Sequence, residues 1–316
     1  HLVRAEAPKR AVRAPDRLIS TGRSGKQQGT TQRQDLPPRR ALPRQRRCLS
    51  QAIEASVKAG QGVMPDDPLI HEDETVESLC GGRLRVIQKK RGYRYTIDSV
   101  LLAGFVEPKE TDRVLELGAG SAVISLLLAH RHRGLRVTAV ELQAGLAEMA
   151  RRSVSLNGLD GRVTILQGDL RKADAFLEAQ AWDAAVFNPP YRKMGTGRVN
   201  PGEEKALSRH EIAGSAADFL RAASRALRPG GRACLVYPCS RMVEVLHGMR
   251  SLRLEPKRFR MVHAKPGSRG DFVLVEGLKG GGEELSVLPP LFIYGEQGGY
   301  SGEMETLLRS IAAPAE

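Results

Sequence analysis

From about residue 80 the chain alternates short apolar runs with amphipathic stretches, and this alternation restricts the fold more than any other feature. Strands that are apolar on both faces need cover on both sides, and helices between them supply it for a largely parallel sheet. The strand-like runs are "GGRLRVIQ" (81–88), "DRVLELGAGS" (112–121), "RVTAVEL" (136–142), "RVTILQGD" (162–169), "WDAAVFNPP" (182–190) and "GRACLVYP" (231–238). Helical spacing is read in "IDSVLLAGFV" (97–106), 122–131, "GLAEMARRSVSLNG" (145–158, with Gly158 as C-cap) and "AADFLRAASRAL" (216–227, closed by "RPGG"). "EPKRFRMVHA" and "DFVLVEGLK" read as a C-terminal hairpin that adds antiparallel edge strands. The expectation is an α/β, doubly wound, mostly parallel sheet.

The formal charge of +13 suggests a nucleic-acid partner, but residues 1 to 60 hold 14 Lys/Arg against 4 Asp/Glu, leaving 35 against 32 elsewhere. Residues 1–63, rich in Arg, Pro, Gln, Ser and Gly, read as a basic disordered arm. Since the first methionine is Met64, the arm is expected to be a solvated tail or upstream sequence outside the native protein, rather than an RNA-holding device. Residues 64–110 then form a strand-and-helix lead-in to a domain over 111–316. Cys48, Cys80, Cys234 and Cys239 show neither metal spacing nor a disulfide scaffold, which fits a reducing cytoplasm. The longest apolar run, "AVISLLLA" (122–129), is far short of the roughly 20 residues a membrane span needs.

Chemistry concentrates at strand ends. In "ELGAG", Glu116, Gly118 and Gly120 lie between a strand and a helix, where a turn without side chains lets a ligand approach the backbone. Val123 stands where a dinucleotide fingerprint needs its third glycine, so an NAD site is disfavoured. Glu141, about 20 residues on, is spaced to accept from ribose hydroxyls, and Asp169 ends the next strand as an acceptor for an adenine amino group. For each acid alone, a helix cap or turn role is as good a reading. Asn188, Pro189, Pro190 and Tyr191 end the following strand. The Asn188 carbonyl and the Pro189 carbonyl together accept both hydrogens of a planar NH2 group, the prolines stiffen the turn and Tyr191 offers a stacking face.

This set of residues resembles the class I S-adenosylmethionine-dependent methyltransferases, in which NPPY marks the branch that methylates exocyclic or amide nitrogen. The finer resemblance is to the bacterial adenine-N6 methyltransferases that modify valine tRNA beside its anticodon. It is carried by "GYRYTIDSVLLAGFV", "VLELGAGSAVISLLLAHR", "VFNPPYRKMGTGRVNP", "SRHE" and "LPPLFIY…YSGE", and covers about residues 80 to 308. The resemblance implies a seven-stranded Rossmann-like methyltransferase sheet and S-adenosyl-L-methionine as cofactor. It implies further that Gly118 and Gly120 border the methionyl part, Glu141 the ribose and Asp169 the adenine. Glu116 and Asn188 line the same site, and Asp98 neighbours the cofactor amino group or else caps its helix. Two departures stand out: Glu116 where many relatives have Asp, and Ala122 where many have Gly.

A tRNA partner implies phosphate contacts, for which Lys89, Lys90, Arg91, Arg192, Lys193 and Arg198 are the candidates. His210 and Glu211 read as structural. One rival function is methylation of a glutamine amide in a protein such as a release factor, although relatives of that kind usually carry a helical substrate domain ahead of the core. A cofactor-binding RNA chaperone without turnover is another, and it would be expected to show a damaged NPPY or glycine turn.

Overall fold

The computed structural model describes residues 68–191 and 214–313. Residues 1–63, Met64, Arg192, Lys193, Arg198, His210 and Glu211 lie outside them. In chain order the elements are β1 (Glu74–Leu79), β2 (Leu84–Lys89), α1 (Ile97–Phe105), β3 (Arg113–Leu117), α2 (Val123–Arg131), β4 (Arg136–Glu141) and α3 (Ala144–Leu156). They continue with β5 (Val163–Gln167), β6 (Trp182–Phe187), α4 (Ala216–Ala226), β7 (Leu227–Pro238), α5 (Met242–Ser251), β8 (Leu254–His263), β9 (Gly270–Lys279), β10 (Ser286–Val287), β11 (Leu291–Phe292) and α6 (Gly302–Ala312).

The main sheet runs β10-β8-β9-β7-β6-β3-β4-β5, with β11 also pairing to β8. Strands β7, β6, β3, β4 and β5 are mutually parallel, while β9 is antiparallel to both β7 and β8. The seven strands β3 to β9 form the expected mostly parallel α/β sheet. The C-terminal hairpin is added beyond β7 as expected, with β9 inserted between β7 and β8, so only β9 opposes its neighbours. The outer edge of β8 is covered in turn by β10 and β11, which brings the sheet to nine strands. Pro289 and Pro290 separate these two short strands, because proline has no N–H to extend a ladder.

Alternation along each strand explains the two layers. On β6, Ala184 and Val186 enter one apolar cluster and Ala185 and Phe187 the other. Buried side chains of α1, α2 and α6 join the first cluster, and those of α4 and α5 join the second. Gly104 lets α6 come close, since a Cβ there would lie 2.6 Å from Leu307 Cδ1. Gly231 does the same for β7, where a Cβ would meet the Trp182 carbonyl at 3.0 Å. For that reason "RPGG" belongs to β7 with a register irregularity opposite Trp182–Ala184, and does not merely close α4.

β1 and β2 form a separate antiparallel pair, with Val76 opposite Ile87. Side chains from the α3 region close the free edge of β2. Ser153 Oγ accepts from Ile87 N at 3.0 Å, and Asn157 bonds both the N–H and the C=O of Arg85 at 2.9 and 2.7 Å. β1 is fixed to the same helix by an ion pair in which Arg152 grips Glu74 at 2.6 Å. Among the described residues, no helix is long and apolar enough to cross a membrane.

Candidate active site

The chain passes from β3 outward to β4 and β5, then returns to lay β6 on the other side of β3, so a switch point lies between β3 and β6. Crevices of open parallel sheets form at the carboxyl ends of such strands. The register pairs Leu117 with Phe187, so Gly118 and Asn188 leave the sheet side by side.

Gly118 and Gly120 have φ of +75° and +55°, and Ala122 enters α2 at +59°. Glycine is required at the first two for space as well as for torsion. A Cβ at Gly118 would come within 2.8 Å of the Phe219 ring, and one at Gly120 within 2.5 Å of the Tyr93 ring. The turn amides are already engaged: Gly118 N and Ala119 N donate to the Val140 carbonyl at 2.8 and 3.0 Å, and Gly120 N donates to Glu141 Oε2 at 2.8 Å. A loop whose donors are held this way offers no phosphate nest, in agreement with the missing third glycine. The hydroxyl of Ser121, fully buried in the same turn, has no partner among the described residues.

The three acids diverge in their contacts. Glu141 is buried at the end of β4, its carboxylate accepting from Gly120 N and Gln143 N. Burial raises its pKa, partly offset by those backbone donors and by Leu142 N. Asp169 caps its own turn, accepting from Arg171 N at 2.9 Å and pairing with the Arg171 guanidinium, which lowers its pKa. Glu116, expected to line the cofactor site, accepts from Ser125 N at 3.0 Å and from the Ser125 hydroxyl in the first turn of α2. It is only 1 % exposed, and burial pushes its pKa up to about 8. It lies near enough to Glu141 for that charge to add to the effect of burial, and near Tyr93, whose ring lies over Gly120.

Asn188 Nδ2 donates to Ser99 Oγ at 3.3 Å, which aims Oδ1 at the crevice. The Tyr191 hydroxyl donates there to Asn188 Oδ1 and also lies 2.8 Å from Asp98 Oδ2. Asp98 Oδ1 meanwhile accepts from Ser99 N at 2.9 Å and from the Thr96 hydroxyl. Thr96 is the N-cap of α1, so Asp98 stands in its first turn, with one oxygen on Thr96 and Ser99 and the other facing the NPPY motif. The Tyr191 ring meets Tyr237 edge-on at 5.7 Å and Phe272 at 6.1 Å, and Arg241 Nη1 donates to its carbonyl at 2.7 Å. Tyr237 is buried, which pushes its pKa up to about 12.

Of the proposed phosphate contacts, Lys89 is turned away from that task. Its ammonium pairs with Asp73 and Glu74, both at 2.9 Å, because the buried Glu74 needs cationic neighbours. Those cations, with Arg152, also meet the charge of the His71–Asp73–Glu74 group, whose ligand-type atoms lie within 4.8 Å of one another. Lys90 donates to the Glu72 carbonyl at 2.6 Å, and Arg91 is exposed. The sequence reading missed Ser99, and it missed the rings of Tyr93 and Phe176 that cover Gly120 and Gly168. It also missed Lys265 and Arg269, exposed in the β8–β9 turn with no acidic partner among the described residues. The β8–β9 turn lies at the crevice edge because β8 runs in the same direction as β7.

Comparison with known proteins places this geometry. The chain is 34% identical over 150 residues to the tRNA1(Val) (adenine(37)-N6)-methyltransferase of Aeromonas salmonicida (strain A449), covering 47% of this chain and 61% of that relative. It is 28% identical over 202 residues to the protein of the same name from Porphyromonas gingivalis, covering 61% of this chain and 78% of the other. The chain therefore spans about three fifths of the length of the first of these relatives. Among solved structures it is similar to a predicted O-methyltransferase from Agrobacterium tumefaciens, with a TM-score of 0.57, 25% identity, and coverage of 69% of this chain and 99% of the other. The model of the methyltransferase small domain matches residues 94–252, just over half of the sequence, and the chain belongs to that family.

Proposed function

We propose that the chain transfers a methyl group from S-adenosyl-L-methionine to N6 of an adenine in tRNA, the expected target being the adenine beside the anticodon of a valine tRNA. The observation that carries this reading is the pairing of Leu117 with Phe187, which brings the glycine turn and the amide of Asn188 out of the sheet together. The names of the relatives above support the substrate.

The residues present fit the cofactor. The turn carries no side chain at Gly118 and Gly120, which lie against the Phe219 and Tyr93 rings, Glu141 is held at the next strand end by backbone donors, and the Ser121 hydroxyl, without a partner among the described residues, lies in the same turn. Gly118 and Gly120 would border its methionyl part, Glu141 would hold the ribose and Asp169 the adenine, with Glu116 beside the turn. Bound there, S-adenosyl-L-methionine supplies a methyl group on a sulfonium, so the protein's task is alignment and exclusion of water, without a strong base. Asn188 Oδ1 and the Pro189 carbonyl would accept from the amino group, Pro190 would stiffen the turn and Tyr191 would stack on the base. The adenine has to be splayed out of its RNA to reach them.

Phosphate contacts fall to Arg91, Lys265 and Arg269 among the described residues, and neutralising the last two should weaken tRNA binding and flatten its salt dependence. A tRNA substrate also places the work in the cytoplasm. The test is transfer of labelled methyl to bulk tRNA and, in parallel, to release factor, followed by nucleoside analysis. N6-methyladenosine is the expected product. Label in protein alone would move the substrate to a glutamine amide. Asn188→Ala should retain cofactor binding and lose turnover by orders of magnitude, and near-normal turnover would sink the assignment.

A further inference from the structure

Two acceptor oxygens converge on the point now held by the Tyr191 hydroxyl, Asn188 Oδ1 and Asp98 Oδ2, the latter at 2.8 Å. Both are fixed from behind. Ser99 Oγ holds Asn188 Nδ2, while Ser99 N and the Thr96 hydroxyl occupy Asp98 Oδ1. Asp98 is 3 % exposed, so Oδ2 has no bulk water to turn to. A phenol brings one hydrogen to this pair of acceptors, whereas a planar NH2 group brings two and satisfies both, Asp98 Oδ2 then taking the hydrogen assigned above to the Pro189 carbonyl.

We propose that Asp98 is a specificity-determining residue for the methyl-accepting base, selecting an exocyclic amino group over a keto oxygen. This rests on the methyl-acceptor reading above. A keto oxygen at that point would face a carboxylate and an amide carbonyl with no hydrogen among the three, and a buried arrangement of that kind is rejected strongly. An amino-bearing purine therefore enters by displacing the Tyr191 hydroxyl, and its keto counterpart does not. Asp98→Asn relaxes the choice, because an amide can rotate to present its NH2 to a keto oxygen.

The experiment measures equilibrium binding of adenosine and of inosine to the full chain saturated with S-adenosylhomocysteine, for wild type and Asp98→Asn. Wild type should prefer adenosine by about tenfold or more, and the variant by no more than about threefold. Affinity for S-adenosylhomocysteine, which also reports that the variant is folded, should stay within about threefold. A variant that keeps the adenosine preference overturns the inference. If in that case its S-adenosylhomocysteine affinity falls by about tenfold, the carboxylate belongs to the cofactor amino group. Wild type that methylates tRNA while Asp98→Asn discriminates normally defeats this inference alone. Wild type that labels only release factor and binds the two nucleosides equally defeats the adenine reading along with it.

Discussion

Asn188 Nδ2 donates to Ser99 Oγ at 3.3 Å, and this contact leaves the Oδ1 end of the amide to the Tyr191 hydroxyl. The two ends of a carboxamide have the same shape and opposite hydrogen-bonding character, so packing alone does not orient it. Ser99→Ala should lower turnover by about fivefold, the worth of one hydrogen bond near 1 kcal/mol, with S-adenosylhomocysteine affinity unchanged. Parallel titration and single-turnover measurements check it. A loss shared equally by both would make Ser99 a packing residue.

The Tyr191 hydroxyl occupies the acceptors proposed for the substrate. Tyr191→Phe keeps the ring and removes that competitor. The expected outcome is tighter adenosine binding, by about the three- to tenfold that one modest hydrogen bond represents, with methyl transfer retained. Weaker binding would show that the hydroxyl assists the base instead of standing in for it.

Much of this site was legible in the sequence because strand ends announce themselves. A β-run followed by Gly118-Ala119-Gly120 or by Asn188-Pro189-Pro190 is a local event, and parallel topology then carries such ends to one edge. What stayed hidden depends on distant pairings. Lys89 looked like part of a basic run, yet a buried acid 15 positions earlier in the chain claims it. Glu116 looked like one of three equivalent strand-end acids, but it lies one residue before the end of β3, and strand alternation turns it toward α2. The first strand, β1, escaped notice because its "ETVESL" pattern is polar, and its partner β2 supplies most of the apolar contact.

Glu74 and Arg152 form the buried tie between β1 and α3, the Glu74 side chain being wholly inaccessible. Burial opposes ionisation of Glu74, but bonds from Arg152, Lys89 and His71 N outweigh it and hold the pKa at about 2. Arg152→Met should cost about 3–5 kcal/mol in urea unfolding at neutral pH, because it strands a buried charge. The folded pKa is depressed, so the contribution is complete above the usual carboxylate value of 4.5 and fades as pH falls toward about 2. The gap between wild type and variant should close over that window. A gap independent of pH would assign the loss to packing.

Glu116 has the opposite sign. Its folded pKa, near 8, lies above the ordinary 4.5, so the folded chain keeps a proton that the unfolded chain releases. Stability is unaffected by this group below about pH 4.5 and declines as pH rises toward 8. Glu116→Gln removes the dependence while leaving an acceptor for Ser125 N. Its melting temperature relative to wild type should rise between pH 5 and pH 8, and a flat difference would refute the protonated state.

The reversed polarity of β9 gives this sheet an adjustable reach. Among the described residues, the connections that follow β3 and β4 at the crevice edge each feed a helix. The turn between His263 and Gly270 only has to come back along the neighbouring strand. Extra residues there would incur a closure cost that grows slowly with length, and they would leave the glycine turn and Asn188 where they are. Insertion or deletion in this hairpin is therefore a way for related chains to follow larger or smaller acceptors without moving the strand ends.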